Sequence, residues 1–104
     1  MQLFVIDWSF ENNEDQLFAT NEFCQYLSEG NLNKTLEGIN LKFIAHTPQD
    51  KSGVIICEAS NTSLLFKILK FWRESFNISF NFKPALTNEE LLVSHNEKDF
   101  WSND

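Results

Sequence analysis

The chain has few of the residues that punctuate or staple a fold. Its 104 residues include 3 Gly, 2 Pro, 2 Cys and 1 Met. Two cysteines, Cys24 and Cys57, cannot build a disulfide framework or a cysteine-based metal centre. Both lie inside apolar patterns and read as buried free thiols. So little glycine leaves no phosphate-cradling loop, and neither a HExxH helix nor a nucleophile elbow is present. Two histidines, His46 and His95, are too few for a haem or metal constellation, so no metal and no cofactor are expected.

Basic residues are scarce too: 8 Lys and Arg stand against 15 Asp and Glu, for a formal net charge of −7. A nucleic-acid binder needs a basic footprint to displace counterions from phosphates, so no nucleic-acid partner is expected. An acidic surface also disfavours anionic membranes. No apolar run approaches the roughly 20 residues of a membrane span. The opening "MQLFVIDW" has no basic start, and Asp7 interrupts its apolar run, so no signal peptide is read and the cytoplasm is the expected location. On that reading "NKT", "NTS" and "NIS" are chance sequons.

What is present is a hydrophobic fraction of 42% with 11 Phe, enough for one globular core. Residues 2–8, "QLFVIDW", read as a central strand, apolar on both sides. Leu17, Ala19, Phe23, Cys24, Tyr26 and Leu27 recur at helical spacing within 14–28, and Gly30 supplies a stop. A polar connection, "NLNKTLEG", leads to an alternating strand at 39–47. "PQDKS" is a turn, and a β-branched strand follows at 53–59. A second helix, 62–75, opens at Ser60 or Asn61 and carries the stripe Leu65, Ile68, Leu69 and Trp72. "NISFNFKP" alternates strictly, with Ile78, Phe80 and Phe82 on one side. "TNEE" is a capping box for a short helix at 88–95.

The order β-α-β-β-α-β predicts an α+β ferredoxin-like fold. Its four-stranded antiparallel sheet runs 4-1-3-2, with both long helices on one face and a short C-terminal helix appended. Residues 1–96 read as one domain, and 97–104 as an acidic tail carrying Phe100 and Trp101, which either frays or reaches the sheet or a partner.

A five-residue turn would pair His46 with Val54, Ile44 with Ile56 and Lys42 with Glu58, and directly opposed residues share a face. Leu41, Phe43, Ala45, Ile55, Cys57 and Ala59 would then meet the helices. Glu58 is explained as the cross-strand ion partner of Lys42. It lies four residues along the strand from His46, about 13 Å, too far for a His–Glu dyad. Asp7, at the end of the first strand, would instead converge with His46 across two strand spacings, roughly 10 Å. The face away from the helices would hold Leu3, Val5, Ile44, Val54 and Ile56 among polar residues that include Asn81. Such a stripe needs a cover, and the expected one is a second copy packed face to face as a dimeric α/β barrel enclosing a small-molecule cavity.

Several stretches together resemble a bacterial family known as domain of unknown function 3303. They are the strand ending in Trp8 with Phe10 after it, "FCQYLSEG", "AHTPQDKSGVIICEAS", "LLFKILKFWRESFNISFNFKPAL" and "NEELL". His46, Gly53, Glu58, Ala59, Trp72 and Pro84 fall on that family's pattern. Ala45 replaces its usual aromatic, Ala85 its usual Val, and the turn has less Gly. The resemblance implies a ferredoxin-like or dimeric α/β-barrel module and supplies no reaction.

Three functions are therefore expected in order. The first is a homodimeric small-molecule-binding or accessory protein, with Trp8, Ile44, Val54, Ile56 and Asn81 against the ligand. The second is a cofactor-independent oxygenase or isomerase, with His46 as general acid or base, Asp7 orienting it and Trp8 lining the wall. The third is a ligand-sensing regulatory domain. Whether the protein is an enzyme is left open by the sequence.

Overall fold

The structure, a computed structural model, describes residues 1–30 and 38–96. The elements are β1 (Gln2–Ser9), α1 (Asn13–Glu29), β2 (Ile39–Thr47), a 3-10 turn (Pro48–Asp50), β3 (Ser52–Ala59), α2 (Thr62–Phe76), β4 (Ser79–Ala85) and α3 (Asn88–Asn96). The strands form one antiparallel sheet in the order β2-β3-β1-β4, the expected order read from its other edge. The fold is ferredoxin-like. Most of the expected polar connection, and the whole tail with Phe100 and Trp101, lie outside the described residues.

The two long helices begin and end on signals written in the chain, and the short third helix begins on one. Asn12 accepts from the Asp15 amide at 2.8 Å to open α1, and Asn61 accepts from the Leu64 amide at 2.7 Å to open α2. Such caps satisfy amides that the first turn leaves orphaned. Gly30 ends α1 at φ 70°, a left-handed conformation that costs glycine little. Asn77 ends α2 at φ 53° and donates to Asp15 at 2.8 Å, tying the end of one helix to the start of the other. The capping box of α3 forms in both directions: the Thr87 amide donates to Glu90 at 3.0 Å, and the Glu90 amide to Thr87 at 3.1 Å.

The core lies between the sheet and the two long helices. Phe4 and Ile6 of β1, Cys57 and Ala59 of β3, and Leu65 and Leu69 of α2 form one cluster. A second holds Trp8, Phe10, Ala19, Phe76 and Ile78. Fully burying one such large apolar side chain contributes about 1.5–3 kcal/mol. One thiol departs from expectation: Cys57 is buried, and burial pushes its pKa up, whereas Cys24 on α1 is exposed.

The register of β2 also departs from expectation. Its turn is one residue shorter. The 3-10 turn is closed by Lys51, left-handed at φ 54°, whose amide reaches the Pro48 carbonyl at 3.1 Å. Thr47 therefore faces Ser52, and their hydroxyls meet at 2.8 Å. His46 pairs with Gly53 and Ile44 with Ile55. A shift of one residue turns side chains to the opposite face, so Ile44 and His46 point toward the helices, while Phe43 and Ala45 point away. A β-bulge between Leu41 and Phe43 then absorbs one residue and returns Ile39 and Leu41 to the helix side. The bulge also explains how the Lys42–Glu58 ion pair survives the altered register. Asn40 is directly opposite Glu58 and donates to it at 2.9 Å, and Lys42 reaches the same carboxylate at 3.2 Å. Together they hold the Glu58 carboxyl below the usual carboxylate range.

Candidate functional site

The helices do not fill the space above the sheet. A cavity of about 340 Å³ lies between them and the strands. That is at the low end of the roughly 300–1,000 Å³ of small-molecule sites. Its floor is Trp8, Ile44, Ile55 and Phe80. Its roof is Ala19, Phe23 and Leu27 of α1 with Ile68, Leu69 and Trp72 of α2. On α1 the lining residues 16, 20, 23 and 27 follow helical spacing, which places them on one face.

Trp8 sets the shape of the floor. Its indole lies across β3 directly over Gly53, where an added Cβ would come within 2.1 Å of Cζ2. Glycine here makes room for the ring. Beyond Gly53 the indole meets His46, its neighbour across β3, with ring centres 5.3 Å apart and planes at 70°. Phe23 approaches His46 from α1 at 5.3 Å. Phe23 in turn meets Trp72 at 6.5 Å, and Trp72 packs on Phe76 at 5.0 Å. The aromatic side chains thus run as a chain around the cavity, and His46 is its one member whose ring can accept as well as donate a hydrogen bond.

His46 is exposed at the mouth, and its ring nitrogens have no hydrogen-bonding partner among the described residues. Gln16 closes the same end, donating to the Pro48 carbonyl at 3.2 Å. Among the described residues, no Asp, Glu, Lys or Arg lines the cavity. No group of three metal-ligating side chains occurs among the described residues. No described helix is long and apolar enough to cross a membrane.

Of the seven residues expected at the site, the structure brings together His46, Trp8 and Ile44. Asp7, Val54, Ile56 and Asn81 lie on the opposite face of the sheet: Asp7 pairs with Val54 on one side and Asn81 on the other. Asp7 therefore cannot contact His46, because the sheet separates their side chains. Sequence reading missed Gln16, Thr20, Phe23 and Cys24 as lining residues and took Trp72 for core alone. The helical spacing of 16, 20, 23 and 27 was the available signal, obscured because Gln16 and Thr20 are polar.

A comparison with curated proteins finds no match. A family model described as a domain of unknown function (DUF3303) matches residues 2–98, so the chain belongs to that family.

Proposed function

We propose that the protein is a small-molecule-binding module that works as a homodimer. The ligand occupies the cavity between helices and sheet, and the second copy covers the open face. The cavity carries this reading: it is apolar, bounded by Trp8, Phe23 and Trp72, and has one titratable imidazole at its mouth. The homodimer reading draws support from the open face. There Val5, Phe43, Val54 and Ile56 form an apolar centre, with Asp7, Asn81 and Lys83 toward one edge and Lys42 and Glu58 toward the other. An apolar centre with a polar rim is the usual anatomy of an interface.

The test is a cavity filler. Ala19 is 7% exposed and lines the roof. Ala19→Phe should weaken binding of the neutral fluorescent probe N-phenyl-1-naphthylamine at least about tenfold, which is about 1.4 kcal/mol. Circular dichroism should show the fold retained. Unchanged probe binding in a folded Ala19→Phe protein overturns the cavity reading.

One observation favours a second, catalytic reading: the His46 imidazole faces the cavity with both nitrogens unclaimed by the described residues. In that case His46 acts as acid or base on a bound apolar substrate without the carboxylate that Asp7 was expected to supply. Turnover lost in His46→Phe with probe binding kept would separate catalysis from binding.

A further inference from the structure

We infer that the ligand is a flat aromatic compound, uncharged, with a single hydroxyl or carbonyl group held at the His46 end. The inference rests on the cavity reading above and assigns its ligand class.

The polarity of the lining is segregated along the cavity. Gln16, Thr20, His46 and Ser52 are all at the end near the β2–β3 turn. The hydrogen bond from Gln16 to Pro48 and the Thr47–Ser52 contact fix that end. The opposite end is Leu27, Leu41, Ile68 and Leu69. From Gln16 to Leu27 along α1 is roughly 16 Å, and from His46 to Leu41 along β2 about the same. A volume of about 340 Å³ drawn out over that length describes a narrow slot. A ligand that matches it is elongated or flat, apolar through most of its body, and polar at one tip.

Charge narrows the class further. An ionised group moved inward from the mouth would lose water and meet no fixed counter-charge, because among the described residues no Asp, Glu, Lys or Arg lines the cavity. A hydroxyl or carbonyl meets no such penalty. A neutral imidazole offers one donor and one acceptor, and the Gln16 amide oxygen and Thr20 hydroxyl lie at the same end. The body is assigned as aromatic because four aromatic rings, those of Trp8, Phe23, Trp72 and Phe80, line the cavity from both floor and roof. Rings attract rings in offset or edge-on contacts beyond simple area burial.

The experiment is displacement of N-phenyl-1-naphthylamine by four competitors at pH 8: naphthalene, 2-naphthol, 2-naphthoate and 1-decanol. 2-Naphthol should bind about fivefold tighter than naphthalene, the gain of one hydrogen bond. His46→Phe keeps a ring against Trp8 and Phe23, and should erase that difference while leaving naphthalene affinity intact. 2-Naphthoate should bind at least about tenfold more weakly than 2-naphthol. Equal affinity for naphthol and naphthalene would overturn the head-group assignment. Naphthoate binding as well as naphthol would overturn the uncharged class. Decanol binding tighter than naphthol would replace the aromatic body with a flexible chain. All three leave the cavity reading standing, because that reading fails only if Ala19→Phe retains the probe.

Discussion

The two faces of this sheet are built from alternate residues of the same strands, yet they solve opposite problems. The helix face carries Phe4, Ile6, Trp8, Phe80 and Phe82, large side chains that interlock with α1 and α2 and still enclose a hollow. The open face carries Leu3, Val5, Val54 and Ile56, shorter and mostly β-branched, with Phe43 beside Ile56. Bulky rings leave gaps wherever one of them lies flat, as Trp8 does over Gly53. Branched aliphatics leave few gaps, so they suit contact with another surface more than the enclosure of a ligand. On the reading proposed above, one face surrounds a small molecule and the other meets a second copy.

The sharpest way to break the comparison is at Gly53, which belongs to the helix face alone. Gly53→Val drives a side chain into the Trp8 indole and should cost about 3 kcal/mol, seen as a lower urea midpoint. Probe binding should fall with it. Val54→Thr, one residue along and pointing the other way, should cost under about 1 kcal/mol and leave probe binding unchanged.

The converse substitution is Ile56→Glu at the centre of the open face. Light scattering should give a dimer for the wild type and a folded monomer for the variant. The expected loss of association is about 2 kcal/mol, roughly thirtyfold in the dissociation constant. The variant should still bind the probe, because Ile56 is outside the cavity lining. A monomeric wild type would sink the interface reading and leave the cavity untouched.

The smallest effect is electrostatic and sits at the rim of the open face. Lys42 and, less strongly, Asn40 hold the Glu58 carboxyl below its usual range. A carboxylate with a depressed pKa in the folded state adds stability above its unfolded pKa. That contribution disappears as pH falls through the lower, folded value. Glu58→Gln should therefore be slightly less stable than the wild type at pH 7. The two denaturation curves should converge as pH drops below about 4. Added salt should narrow the gap at pH 7, since the pair is partly exposed.

Most of the fold was legible. Periodicity placed the helices and strands, and the caps at Asn61 and Thr87 and the stop at Gly30 were local chemistry that tertiary packing did not override. The strand order followed from the connection rules. The site was harder, because its composition depends on register, and register in β2 depends on a turn one residue shorter than its composition suggested. Lys51 accepts a left-handed conformation that glycine or asparagine usually takes, so the turn carried no flag. The bulge was equally silent: Lys42 and Phe43 side by side look like ordinary alternation. His46 was singled out for its chemistry but placed on the wrong face. Asp7 was placed correctly and for that reason lost its supposed partner. Trp8 and Ile44 reached the cavity, Trp8 through the gap at Gly53 and Ile44 through the shortened turn.

The bulge at Lys42 has a further consequence for how this cavity is specified. It divides β2 into two stretches that run out of phase. Below it the odd-numbered residues Ile39 and Leu41 face the helices, and above it the even-numbered Ile44 and His46 do. Straightening the bulge without removing a residue would turn one pair or the other to the open face, whereas deleting Lys42 would keep both pairs on the helix side. The imidazole is therefore held in place by counting: its position is encoded in how many residues separate it from the irregularity, and no bond to its own nitrogens is required.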